Sequence, residues 1–378
     1  MVILLNALVE NHTVAEINLS HFEHNIKAIR NKIPNSIMLA VIKTDAYGHG
    51  IVPIAKRAIE TGVERLGVTT VEEGALLREN GIHIPIHILS PNTLDQAKNV
   101  VYYHLTPSVS SVDQAKALSK ETVKQNKKIV VHVKVNTGLQ RFGIETENAI
   151  DFFKQCYELP GIEWEGIYTH FSSADEGDWI TTEKQFQLFL TTVKRLKREG
   201  YKFQLHHVGA STIALERKDM HLDMVRPGIA LFGYQPDERQ EKLVTLKPAM
   251  SLKTILIQTR TLPPKTSLGY GGNYVTRGRE RIGIIPIGHG DGYKRRLSNN
   301  GKVLVRGRKA DIVGTISLDQ TFINLTAVSE AKEGDEIVLI GEQGNSSITA
   351  RDVANWIHSN VDEVLASLMS RIKRIYVE

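Results

Sequence analysis

The chain has one cysteine, Cys156, among its 378 residues, and one thiol cannot close an internal disulfide. Its stability must come from a packed core, and the usage fits a reducing compartment, with an intermolecular bridge as the alternative. Aromatic residues make up only 6% of the chain. The densest basic stretches, Arg277 to Arg281 and Lys294 to Arg296, have no aromatic residue between their charges on which a base could stack, so no nucleic-acid partner is expected. Charge of one sign is missing too. The 47 basic and 42 acidic residues leave +5, spread along the chain, which gives weak steering toward acidic partners. There is no long apolar run. Met1 to Val9 is apolar for only a few residues, contains Asn6, and lacks a basic leader and a small-residue cleavage site, so neither a secretion signal nor a membrane span is expected. No repeat or low-complexity stretch occurs.

What remains is ordinary globular composition, 41% hydrophobic and 24% charged, which excludes a disordered, collagenous or coiled-coil chain. At ~150 residues per domain the length suits one large and one small domain. From about residue 37 to 230, short β-branched runs alternate with helical patterns, as parallel strands joined by crossover helices do. The runs are Ile37 to Lys43, Arg65 to Thr70, Ile84 to Leu89, Tyr103 to Val109, Ile129 to Val135, Trp164 to His170, Gln204 to Val208 and Met224 to Leu231. Between them lie helical stretches such as Val52 to Thr61, Val71 to Asn80, Ser111 to Lys124, Asn148 to Glu158 and Thr182 to Glu199. Eight such units are the count of a closed (β/α)8 TIM-type barrel. An open doubly wound sheet is the alternative, disfavoured because no Gly-rich dinucleotide fingerprint opens the first helix.

Past Asp237 the texture changes to strands between Gly and Pro turns: Ala249 to Thr261, Glu280 to Gly288, Lys302 to Val305, Asp311 to Ile316 and Asp335 to Gly341. The expected fold class is therefore α/β plus β, a barrel over residues 1–240 and a C-terminal mostly β domain over 241–378. Residues 1–20, with the strand-like Thr13 to Asn18, are expected to pair with the second domain.

Active sites of such barrels form at the C-terminal ends of the strands, and here those ends are polar. Lys43 closes the first run and Lys134 the fifth, His170 ends the sixth, Ser211 follows the seventh, and Arg226-Pro227-Gly228-Ile229 interrupts the eighth. Each alone has a bland reading: a snorkelling lysine, a structural histidine, a helix-capping serine, a glycine that permits a turn. Their shared position favours a site. A lysine able to form a Schiff base, a helix start and a glycine to hold phosphate, and an arginine between them suggest pyridoxal 5'-phosphate. Gly269 to Gly272 and Gly288 to Gly292 are weak nucleotide signals, and the adjacent His206 and His207 point to opposite faces of a strand, so no metal site is expected.

Lys43-Thr44-Asp45-Ala46-Tyr47-Gly48-His49-Gly50 resembles the cofactor-attachment motif of bacterial alanine racemases, with Thr44 where alanine is usual. The resemblance continues through Lys134 to Gly143, His170 to Glu176, Val225 to Gly233, Gly269 to Tyr274, Ile285 to Gly288 and Ser317 to Gln320. It implies that Lys43 carries the cofactor and acts as the base on one face of the substrate, while Tyr270 of a partner subunit acts on the other. His170 and Arg226 would form a hydrogen-bonded chain behind the tyrosine, with Arg226 against the pyridine nitrogen. Tyr47, Ser211 and the backbone of Gly228 and Ile229 would hold the phosphate, and Leu89 would contact the cofactor. Arg141 would bind the substrate carboxylate, Leu318 would line the substrate pocket, and Lys134 would be a carbamylated lysine beside Arg141. Asp175, His289 and Asp319 would stand behind these groups or at the entrance.

The pattern departs from the family at Ala210 (usually asparagine), Leu318 (methionine), His289 (an entrance tyrosine), Thr315 (an entrance arginine) and Asp362 (a tyrosine on the phosphate). These changes leave a pocket for a larger or more polar side chain open. The implied function is a cytoplasmic, homodimeric racemase interconverting L- and D-alanine and supplying D-alanine for peptidoglycan, with a small amino acid as its only partner besides its second copy. A racemase for serine or another small amino acid, a decarboxylase of the same two-domain plan and a non-catalytic cofactor-binding protein are the rivals.

Overall fold

The computed structural model describes residues 12–378, so Met1 to Val9, with its expected lack of a leader or span, lies outside the described residues. The chain forms two compact units. One comprises Phe22–Ala46 and Ile51–Lys247; the other comprises the described residues up to His21, Tyr47–Gly50 and Pro248–Glu378.

The first unit is the expected barrel. Its parallel strands run in the ring order Met224–Val225, Ile37–Val41, Arg65–Val68, Ile86–Ile88, Thr106–Val109, Ile129–Asn136, Ile162–Tyr168 and Leu205–His207. Between the last strand and the first of that list no formal ladder forms. Two backbone bonds bridge them instead, Asp223 N–H to His206 O at 3.2 Å and Arg226 N–H to Gly209 O at 2.9 Å. The second bond fixes the backbone from which Arg226 projects. The strands are buried along nearly their whole length because helices cover them outside and side chains fill the interior, and several of the buried positions are polar, His87, Ser108, His132 and His207 among them. The helices begin where short polar residues cap them: Ser111 accepts from Gln114 N, and Thr70 forms a reciprocal capping box with Glu73.

Several boundaries differ from the sequence pattern for identifiable reasons. The eighth strand ends at Val225, not Leu231. Pro227 has no N–H to donate and Gly228 turns to φ −122°, ψ −96°, after which Ile229–Phe232 winds into a 3-10 turn. Tyr103 and His104 close a helix, and their strand starts at Thr106. The run Ala249 to Thr261 is two strands in two different sheets, Met250–Ile255 and Gln258–Leu262. Asp311 ends a strand that starts at Arg308, and beyond Ile312 the chain is irregular around Gly314, whose φ is 72°.

The second unit is built on a sheet in which Thr13–Asn18 sits between Met250–Ile255, antiparallel with Thr13 opposite Thr254, and Lys373–Val377, parallel with Val14 opposite Lys373. A three-stranded sheet of Gln258–Leu262, Glu280–Ile285 and Thr321–Asn324 lies in the same unit, as do the helices Ala350–Ile357 and Val361–Ala366. Among the described residues no helix is long and apolar enough to cross a membrane, and no group of three or more His, Cys, Asp or Glu could hold a metal ion.

Candidate active site

The backbone after the first barrel strand takes a left-handed course. Thr44, Asp45, Ala46 and Tyr47 have φ between 52° and 56°, and Gly48 follows at 80°. For residues with a Cβ this costs ~1–2 kcal/mol each, so the surroundings must enforce it. They do so at three points. Ala46 N–H donates to Ile42 O at 2.9 Å, Asp45 N–H to Glu73 Oε1 at 3.2 Å, and Ile51 N–H to Asp45 Oδ1 at 2.8 Å. Glu73 thereby ties the turn to the helix that it also caps. Lys43 stands just before the turn, half-buried at the strand end.

His170 lies among four cations. Burial comes first, followed by Arg226, Arg141, Lys134 and Lys43, and together they hold its imidazole well below the usual histidine range. A cavity of about 150 Å³ opens here, lined by Leu139, Arg141, His170, Asp175, Ala210 and Thr212 among others. Arg226 is 3% exposed. Its Nη2 donates to Thr169 O at 2.8 Å, Val208 O at 3.1 Å and His170 Nδ1 at 3.2 Å, and its Nη1 donates to His207 Nδ1 at 2.7 Å. Burial lowers its pKa to about 10, which leaves it charged at neutral pH. Because guanidinium only donates, Nδ1 of His170 is an acceptor and Nε2 carries that ring's proton.

The buried hydroxyl of Ser211 accepts from the N–H of Gly228 at 3.0 Å and of Ala230 at 3.4 Å, so its own O–H is left to donate. Asp175 accepts from Thr212 O–H at 2.5 Å, and burial raises its carboxyl above the ordinary range. Leu89 packs over Gly67, where an added Cβ would meet its Cδ1 at 2.9 Å.

Lys134 is buried with its ammonium 3.4 Å from the centroid of Phe142, whose ring also lies 5.8 Å from the Arg141 guanidinium. Burial first, then Arg141 and Arg226, lower its pKa from 10.5 to about 7. The folded state therefore holds fewer protons than the unfolded state between about pH 7 and 10.5, so this group makes stability rise with pH across that window. The full drop corresponds to about 5 kcal/mol, against ~1–2 kcal/mol from the cation–π contact. Lys134→Met is expected to raise the unfolding free energy at pH 7 by about 2–3 kcal/mol and to flatten the rise above it. Denaturant titrations at pH 7 and 9.5 check this, and a variant less stable than wild type at pH 7 would count against it.

The remaining predicted residues belong to the second unit. Tyr47 is buried, whereas Tyr270 is 73% exposed on a short turn whose glycines 269, 271 and 272 have φ of 72°, 73° and 58°. Thr315 is buried, donates to the Tyr270 carbonyl at 3.1 Å and accepts from Asn273 at 2.9 Å. Leu318, His289 and Asp319 are exposed. Asp362 is exposed in the first turn of a helix, where a carboxylate suits the dipole.

The sequence pattern did not single out Glu73, Phe142, Tyr168 or the interior His132, and it weighed His207 only as half of a metal pair with His206. Tyr168 stacks on His207 with ring centroids 4.7 Å apart and planes 3° off parallel. A histidine centred in an apolar strand, as at His87 and His132, was the available signal.

The donor set suits an anionic carbonyl-bearing cofactor: an amine at a strand end, a serine O–H beside a glycine N–H, and a buried guanidinium whose Nε–H has no protein acceptor among the described residues. Residues 17–236 match the family model "Alanine racemase, N-terminal domain" and residues 249–376 match "Alanine racemase, C-terminal domain". An alanine racemase of Halothermothrix orenii is 38% identical over 373 residues, covering 98% of each chain. The alanine racemase of Clostridium difficile 630 superposes with a TM-score of 0.92 at 33% identity, covering 97% of this chain and 96% of that one. The alanine racemase of Bacillus anthracis, solved with bound L-Ala-P, gives 0.93 at 31% identity, covering 97% and 95%. With both halves matched in order and a full-length relative at this identity, the chain belongs to the alanine racemase family.

Proposed function

We propose that the protein interconverts L- and D-alanine with pyridoxal 5'-phosphate bound covalently at Lys43, as a homodimer in the cytoplasm, and so supplies D-alanine for peptidoglycan. Family membership supports the reaction, and the observation that carries the chemistry is Arg226. When bound, the cofactor's conjugated ring withdraws electrons from the substrate Cα–H bond and acidifies it. A guanidinium against the ring nitrogen donates a hydrogen bond without giving up its proton, which keeps that withdrawal moderate and favours prompt return of the proton to Cα. A decarboxylase would instead be expected to place a carboxylate there.

Lys43 Nζ takes or delivers the Cα proton on one face, and Tyr270 Oη of the partner subunit does so on the other. His170 Nε2–H is oriented by Arg226 and supports the tyrosine oxygen. Ser211 O–H and the backbone N–H of Ile229 hold the phosphate, joined by Gly228 N–H if it turns from Ser211 Oγ to the anion, and Leu89 packs against the cofactor; Tyr47 Oη is the second unit's candidate for the same anion. Arg141 binds the substrate carboxylate. Lys134, neutral in part at pH 7, is a nucleophile for carbon dioxide, and its carbamate would orient Arg141 as an anion. Asp175 backs the barrel's own groups, and Leu318, His289 and Asp319 are the second unit's candidates for lining a substrate pocket or its entrance.

The test is racemisation of alanine and serine followed by circular dichroism. We expect kcat/KM for alanine to exceed that for serine by about tenfold or more, the scale on which a small pocket resolves one added group. A preference for serine would overturn the assignment.

A further inference from the structure

Barrel interiors are usually filled by branched apolar side chains, but here a polar column runs through the middle of the first unit. From Arg226 the hydrogen bonds continue along buried side chains. His207 meets His132 at 2.8 Å between Nε2 and Nδ1, and His132 Nε2 meets Glu165 Oε2 at 2.8 Å. Glu165 is in turn clasped by Arg65 through two bonds of 2.6 and 2.9 Å. Both imidazoles are buried, 0% and 1% exposed. The rings are also seated. Tyr168 stacks on His207, and Gly166 makes room for His132, since a Cβ at position 166 would lie 2.3 Å from that ring.

The direction of every bond in this column is determined. Arg226 can only donate, so His207 Nδ1 accepts and its Nε2 carries hydrogen; His132 Nδ1 then accepts, and His132 Nε2–H donates to the carboxylate. One arrangement satisfies all the contacts, and it places a neutral imidazole at both positions with an acceptor-only group at the far end. A buried cation with no counter-charge is costly, and every acceptor of Arg226 among the described residues is neutral. The anion that the column offers it is Glu165, reached through two polarisable rings. Glu165 itself would be raised by burial, but the bonds from His132 and Arg65 and the charge of Arg65 hold its carboxyl at about 2.

We infer that Glu165, acting through His132 and His207, is a positioning residue for the racemase reaction: it fixes the proton order of the column and so holds Arg226 in place as a donor toward the cofactor ring. This rests on the proposal that Arg226 faces the ring nitrogen. Glu165→Gln exposes the dependence. With one amide face now a donor, the column has a donor–donor conflict at Arg65, at His132, or, if both histidines invert, between His207 Nδ1–H and Arg226. A role limited to packing would tolerate this near-isosteric change.

The experiment is ¹⁵N NMR of the histidines in the cofactor-free protein, paired with kinetics and visible absorbance of the cofactor-loaded protein. In wild type, His207 and His132 are expected as neutral Nε2–H tautomers. In Glu165→Gln, whether the conflict stays at Arg65 or inverts the rings, kcat should fall about 10–100-fold with KM little changed and the bound-cofactor absorbance shifted. Glu165→Asp keeps the acceptor-only end and should keep the wild-type tautomers and restore the absorbance. A wild-type His132 or His207 found as the Nδ1–H tautomer or as a cation overturns the inference without needing any variant to fold. So does a folded Glu165→Gln protein with wild-type tautomers, kcat and absorbance. Because the tautomers are read without cofactor, this failure is separate from failure of the cofactor proposal, which would show as no visible absorbance when pyridoxal 5'-phosphate is added to wild type.

Discussion

Lys43→Ala is expected to abolish alanine racemisation, by more than about 10⁴-fold in kcat/KM, while leaving the fold intact. The loss is large because one side chain serves twice: its amine carries the cofactor and then moves the proton at Cα, and general acid–base transfer alone contributes about 10²–10⁴-fold. The fold should survive because Lys43 precedes the left-handed residues. The turn at Thr44 to Tyr47 is held by Ile42, Glu73 and Asp45, none of which uses the Lys43 side chain in the bonds that define it. Pyridoxal 5'-phosphate should then bind only reversibly and wash out on desalting. Borohydride reduction followed by intact mass should find no covalent adduct, against one per chain in wild type. A covalent adduct at another lysine, or activity within about tenfold of wild type, would show that Lys43 is not the attachment point.

The strand-end groups were legible because each breaks an apolar run with a charge. Lys43, Lys134, His170 and Arg226 are conspicuous where a barrel strand should end, and the structure brings the three cations near enough to His170 to hold its imidazole well below the usual histidine range. The turn after Lys43 was not legible. Left-handed backbone is normally signalled by glycine or asparagine, and here Thr44, Ala46 and Tyr47 adopt it because tertiary bonds impose it. The eighth strand was overextended because Ile229 to Phe232 is apolar enough to read as strand, and only the local backbone at Pro227 and Gly228 decides otherwise. The polar column was missed for another reason. A histidine among valines has no spacing rule, and His132 becomes meaningful only when the barrel closes and brings Glu165 and His207 within 2.8 Å of its two nitrogens.

Tyr270→Phe should be nearly silent in stability and severe in catalysis. The side chain is 73% exposed in the unit that carries it, so removing its oxygen forfeits no buried contact there, and the change should stay within about 0.5 kcal/mol. Racemisation needs a proton taken from one face and delivered to the other, so losing one of the two groups should lower kcat/KM by about 10²–10⁴-fold. The two enantiomers are equal in free energy, so the equilibrium constant is one and kcat/KM must fall by the same factor in both directions. The asymmetry appears elsewhere. In deuterated water, the enantiomer whose Cα–H faces Lys43 should still exchange that hydrogen without inverting, while the other should exchange far more slowly. Equal exchange of both enantiomers, or wild-type racemisation, would remove Tyr270 from the mechanism. The same variant tests the shared site. If Tyr270 serves the partner's cofactor, a heterodimer of Lys43→Ala and Tyr270→Phe chains has one site with both defects and one site with neither. Random reassociation of equal amounts makes half of the dimers mixed, each with one of its two sites intact, so about one quarter of wild-type activity should return from two inactive proteins. If Tyr270 instead acted within its own chain, every site in the mixture would keep one defect, and no activity would return.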